Sequence, residues 1–198
     1  MLKSFLALAL SAAVLTGCAV AGKESSPEAI SAAVHLNTGP PKLTLITVIN
    51  NRTGAGGHSA LLVEGAQSVI FDPAGSFVHE QIPERGDVLY GMSPAWVQAY
   101  KSAHARDEFH VVSQTFSVTP AQAAVALQLV QANGAVPSAL CTSATSGVLR
   151  QIPGFTSVDQ VFYPVRLMEQ VAQLPGVTTT RYFEDDAGNV LDGIRVPG

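Results

Sequence analysis

Cysteine is nearly absent from this chain: Cys18 and Cys141 are the two among 198 residues. A disulfide framework is thereby excluded, and no Cys-x2-Cys pair is available to hold a metal. Histidine does not substitute, because His35, His58, His79, His104 and His110 are dispersed and none forms a His-x3-His pair. No metal and no other cofactor is implied. Basic residues are also few, with 11 Lys and Arg against 15 Asp and Glu for a formal charge of −4. They are scattered, so no basic stripe tracks a phosphate backbone and a nucleic-acid partner is excluded. No internal repeat occurs, and beyond the N-terminus no apolar run approaches the length of a membrane span.

What is present begins at the N-terminus. Lys3 is followed by Phe5-Leu6-Ala7-Leu8-Ala9-Leu10 and a run of small and apolar residues without an acid. This is the pattern of an export signal, too short to span a bilayer as a mature helix. Its end, Leu15-Thr16-Gly17-Cys18, resembles the lipobox of bacterial lipoproteins, in which the preceding peptide is removed and the cysteine sulfur carries diacylglycerol. The resemblance implies a signal peptide over 1–17 and a membrane anchor at Cys18; the plainer alternative is an ordinary cleaved secretory signal in which Cys18 is incidental. Ala19 follows in place of the aspartate associated with inner-membrane retention, which favours an outer membrane facing the periplasm. Residues 18–42 carry Lys23-Glu24-Ser25-Ser26-Pro27 and Asn37-Thr38-Gly39-Pro40-Pro41 without a sustained apolar period, and read as a flexible tether. Residues 43–198 are the size of one domain.

Within that domain, Leu43 to Ile49 reads as a buried strand, and Ser59–Val63 with Ser68–Phe71 as a hairpin. Asp87–Tyr90 and Phe109–Val118 are further strands. Ser93-Pro94 and Thr119-Pro120 place a capping hydroxyl before a proline at the first helical position. Further helices are expected over 142–151 and 164–173, and a terminal hairpin over Val177–Phe183 and Val190–Val196. The class is α+β, an antiparallel sheet packed by helices.

Cys141 is the thiol left in the folded domain once Cys18 is lipidated. It stands at the start of a helix, after Pro137-Ser138 and before Thr142-Ser143. A helix N-terminus lowers a thiol pKa, and its free N–H groups can hold an oxyanion. The plainer alternative is a small buried hydrophobe. His58 follows Gly54-Ala55-Gly56-Gly57 and opens a strand, an edge placement suited to a general base; otherwise it merely hydrogen-bonds in its loop. His104 and His110 flank a charged junction and read as solvated. Tyr90, Trp96 and Tyr100 either line a groove or pack in the core.

Asp72 is the candidate orienting carboxylate. A three-residue loop Glu64-Gly65-Ala66 pairs Val63 with Gln67 and brings His58 opposite Asp72 on one face of the sheet. A two-residue loop at Gly65-Ala66 sends the two side chains to opposite faces. Asp72 can also simply cap the turn Asp72-Pro73-Ala74-Gly75. Glu64 shares the face of His58 but lies next to the turn.

The order Gly57-His58-Ser59-Ala60, an acid in the next strand, then Leu140-Cys141-Thr142-Ser143 at a helix start resembles the circularly permuted NlpC-type papain-like cysteine hydrolases. The likeness spans roughly residues 43–155. Leu140 stands where an aromatic is frequent, and Asp72 where His or Glu is more usual. The resemblance implies a permuted papain-like architecture with Cys141 as nucleophile, His58 as base and Asp72 as orienting group. It implies cleavage of amide bonds, in an exported protein foremost those of peptidoglycan peptides. Relatives that are lipid acyltransferases or thioesterases keep ester or lipid substrates open, and a non-catalytic envelope-binding lipoprotein is the alternative of another class.

Overall fold

The computed structural model describes residues 24–184. Cys18 and the signal segment lie outside them, as does the expected partner strand Val190–Val196. Among the described residues five helices and seven strands occur, the strands forming one antiparallel sheet. These residues contain no helix long and apolar enough to cross a membrane.

The elements are α1 (Pro27–Ala33), β1 (Lys42–Asn50), β2 (Gly56–Glu64), β3 (Ser68–Phe71), β4 (Glu84–Arg85), β5 (Val88–Tyr90), α2 (Pro94–His104), β6 (Phe109–Ser117), α3 (Pro120–Asn133), α4 (Cys141–Leu149), α5 (Pro164–Ala172) and β7 (Thr178–Tyr182). The strand order is β4-β5-β3-β2-β1-β6-β7. β1 is buried at nearly every position because both faces of the sheet are covered. Leu43 and Leu45 join Leu61, Val63 and Phe71 in one core, against Val130 of α3, Leu149 of α4 and Leu167 of α5. Ile46, Val48, Ala60 and Leu62 point the other way, into a second core with Tyr100 and Ala103 of α2.

The helix starts follow local chemistry. Ser93 caps α2 by accepting from the Trp96 N–H, and Thr119 forms a capping box with Gln122 at α3. α3 stops at Gly134, whose φ of 73° suits glycine. β4 and β5 are joined by Gly86 and Asp87, both at positive φ, as a tight hairpin turn of this twist requires. Asp87 is therefore a turn residue and not the first of its strand.

Residues 24–41 are not a free tether. Ser26 caps α1, Ile30 packs on the first core, and the Ser25 N–H donates to the Glu84 carbonyl. Leu36 bridges Gln67, and Asn37 donates from Nδ2 to the Glu64 carbonyl. A single apolar anchor in a helix of 7 residues leaves no period to read, which is why the sequence pattern is that of a linker.

Candidate active site

The hairpin β2–β3 sets the first two residues of the site. Val63 pairs with Val69 and Glu64 with Ser68, so the loop is Gly65-Ala66-Gln67 and the register is shifted by two residues from the expected one. A shift of two leaves side-chain parity intact, and His58 and Asp72 still share a face, now as diagonal neighbours. His58 Nε2 lies 2.6 Å from Asp72 Oδ1. Asp72 also closes the expected turn, because its backbone carbonyl accepts from the Gly75 N–H at 2.9 Å. Main chain and side chain thus serve different ends. Gly75 has to be small: a Cβ there would collide with the Asp72 carboxylate.

His58 is aimed by a β-bulge. Val48 pairs with His58 but Ile49 with Gly56, so Gly57 is the extra residue immediately before the imidazole. The strand begins at Gly56, two residues earlier than expected. Gly56 is required by packing, since a Cβ would stand 2.5 Å from Cβ of Pro164 at the start of α5. Gly56 and Gly57 thus form a close-packed strand end, and Gly54 belongs to the exposed turn before it.

The third residue arrives on α4. Ala139, with φ of 69°, turns the chain sharply before Leu140, and α4 starts at Cys141 without a side-chain cap. A left-handed alanine costs roughly 1 kcal/mol, tolerated here because the surroundings fix it. The uncapped start leaves first-turn N–H groups available. α4 is fastened to β2 through Ser59: its hydroxyl lies 3.1 Å from the Thr142 hydroxyl, and its carbonyl accepts from Thr145 Oγ1 at 3.2 Å. The Cys141 sulfur lies 3.8 Å from Thr142 Oγ1, and His58 and the Ser59 N–H are near enough to lower its pKa. With Nε2 held by Asp72, Nδ1 is the ring nitrogen left for the thiol.

Burial alone would lower the His58 pKa, but the hydrogen bonds to Asp72 and Cys141 and their charges raise it to about 10. Burial would likewise raise Cys141. The His58 hydrogen bond and charge, with the Ser59 N–H and Thr142, bring it down to about 7. Asp72 is lowered despite its burial, chiefly by His58. The three groups favour thiolate, imidazolium and carboxylate together. Cys141 is 9% exposed and the His58 side chain 13%, so the pair sits just beneath the surface.

Several participants were invisible in the sequence. Tyr100 is fully buried in the core, as one of its two readings held, yet its hydroxyl donates to Asp72 Oδ1 at 2.5 Å. It approaches from α2, 28 positions away, and only the shared face of sheet and helix reveals it. His104, expected to be solvated, is half-buried: its ring lies 4.3 Å from that of Tyr100 and 5.9 Å from that of His58, centroid to centroid. The Tyr100 carbonyl accepts from His104 Nδ1 at 2.8 Å, and burial lowers the pKa. Asp87 links the two halves of the site, accepting on Oδ2 from the N–H of Ala74 beside Asp72 and from that of Val136 on the approach to α4.

No family model, curated protein or solved structure matches the chain. The chemistry is therefore argued from these residues. Glu64, the weaker alternative to Asp72, faces Lys42 at 3.6 Å and takes no part. Among the described residues no group of His, Cys, Asp and Glu could hold a metal ion. His110 instead makes a contact of 2.7 Å with Asn51 and stacks on Phe183.

Tyr100→Phe removes one hydrogen bond to a buried carboxylate and nothing else. Its loss is expected to cost about 2 kcal/mol of stability, read by thermal unfolding. It should also slow alkylation of Cys141 at neutral pH through looser orientation of Asp72 and His58. Unchanged stability and alkylation would show that Tyr100 does not hold Asp72.

Proposed function

We propose that this chain is an exported, lipid-anchored cysteine hydrolase of permuted papain-like architecture, acting at Cys141 with His58 and Asp72. The observation that carries the reading is the imidazole of His58, 2.6 Å from the Asp72 carboxylate, near a Cys141 thiol at the start of α4, with His58 raised and Cys141 lowered by each other's charge. A purely binding protein has no need of a thiol lowered to about 7.

In this mechanism the Cys141 thiolate attacks the carbonyl carbon, and the Cys141 N–H at the head of α4 receives the developing oxyanion. His58, protonated on Nδ1, gives that proton to the departing nitrogen as the carbon–nitrogen bond breaks. The neutral imidazole then draws a proton from water, which attacks the thioester and frees the thiol. Asp72 holds the ring's orientation and stabilises its charge throughout.

In this reading a lipid on Cys18 anchors the site at the periplasmic face of the outer membrane, where peptidoglycan peptides are the abundant amides. Digestion of purified sacculi by the protein and by its Cys141→Ala form, with product masses read out, tests it. New muropeptide masses from the parent protein alone support wall cleavage, and identical masses from both remove it. The second reading, ester or lipid acyl chemistry, is favoured by an apolar cleft against His58.

The pH dependence follows from the pair. Cys141, lowered to about 7, gains its charge as pH rises through that value, and His58, raised to about 10, loses its charge above. kcat/KM is expected to rise through about 7, hold, and fall near 10. An acid limb at the ordinary thiol value would mean that His58 does not activate Cys141.

A further inference from the structure

The imidazole of His58 borders a cleft of about 410 Å3 that the steps above leave unused. Val48, Ala103 and Phe109 give it apolar walls, His104 lines it beside His58, and Arg106, Asp107 and Glu108 also line it. Cys141 is not among its lining residues, so it opens on the base and not on the nucleophile. Resting on the thiol-hydrolase reading, we propose that this cleft receives the leaving-group side of the substrate and selects an apolar amine or alcohol.

The direction follows from the order of bond changes. The acyl carbon bonds to the Cys141 sulfur, its oxygen turns to the head of α4, and the carbon–nitrogen or carbon–oxygen bond breaks. The departing atom takes the His58 proton and must therefore lie against the imidazole. Whatever that atom carries extends past His58. Asp72 already occupies Nε2, and the cleft lies against the rest of the ring. Gly57 shapes the wall: a Cβ there would come within 3.3 Å of Phe109 Cε1, so glycine lets the Phe109 ring lie against the strand. His104 donates a hydrogen bond from Nδ1 to the Tyr100 carbonyl, and burial lowers its pKa and so favours the neutral ring on this wall. The volume is at the lower end for small-molecule sites and suits one aromatic or branched group.

The test uses two substrates with one acyl group and amine leaving groups of similar basicity, phenylalaninamide and glycinamide. The phenylalaninamide substrate is expected to show kcat/KM about 10-fold higher. Ala103→Leu, which fills the cleft, and Phe109→Ala, which opens its wall, should each bring that ratio towards one. Equal rates in the parent protein, or a preference that survives both substitutions, overturn the assignment and leave the thiol reading standing. If neither substrate is cleaved and Cys141 is not acylated, the thiol reading fails by itself. Saturation-transfer NMR with the free amines then decides whether the cleft binds apolar groups. Signal from phenylalaninamide but not glycinamide, lost in Ala103→Leu, supports it, and no signal from either overturns it.

Discussion

His58→Ala is expected to lower hydrolysis by about 10^3-fold and to return the Cys141 thiol from about 7 towards its ordinary value of 9. Both effects have one cause. The largest influences lowering the thiol are the hydrogen bond from His58 and its charge, and without them only the Ser59 N–H and Thr142 remain against burial. The same substitution removes the proton donor for the leaving group. Tyr100 still satisfies Asp72, so folding is expected to survive, as circular dichroism would show. Hydrolysis within a few-fold of the parent protein would rule out His58 as the base.

Asp72→Asn is expected to reduce kcat by about 10^3-fold or more while preserving shape. The amide cannot stabilise the imidazolium, and an NH2 turned to His58 Nε2 would favour the wrong tautomer. Because Asp72 is the first of the influences that raise His58 to about 10, the alkaline limb of the pH profile should move down as well. A residue that merely capped its turn would behave differently. The turn is closed by the Asp72 backbone carbonyl and is untouched by the substitution. Full activity with an unmoved alkaline limb would therefore assign Asp72 to the turn alone.

The sheet was legible wherever β-branched and apolar residues run together, as in β1 and in Ser68–Phe71, and α2 and α3 from the hydroxyl that precedes proline at each start. The β2–β3 register was not, because Glu64 to Gln67 carry no residue that fixes where a three-residue loop begins. Parity survived because both registers differ by two residues, and that preserved the pairing of His58 with Asp72. Tyr100, Ser59 and His104 could not be found by inspection: each acts across elements, Tyr100 from α2 onto the residue that follows β3 and Ser59 by fastening β2 to α4. The docked segment around α1 was hidden for another reason, since hydrogen bonds from Ser25 and Asn37, and not an apolar stripe, hold it in place.

The central claim is that Cys141 is a thiolate at neutral pH because His58 meets it. Iodoacetamide alkylation of Cys141, followed across pH by mass spectrometry of the peptide that contains it, measures this directly. The account predicts a rate that rises with a midpoint near 7, shifted upward in His58→Ala. A midpoint at the ordinary thiol value of 9, or a thiol that does not respond to loss of His58, would contradict it.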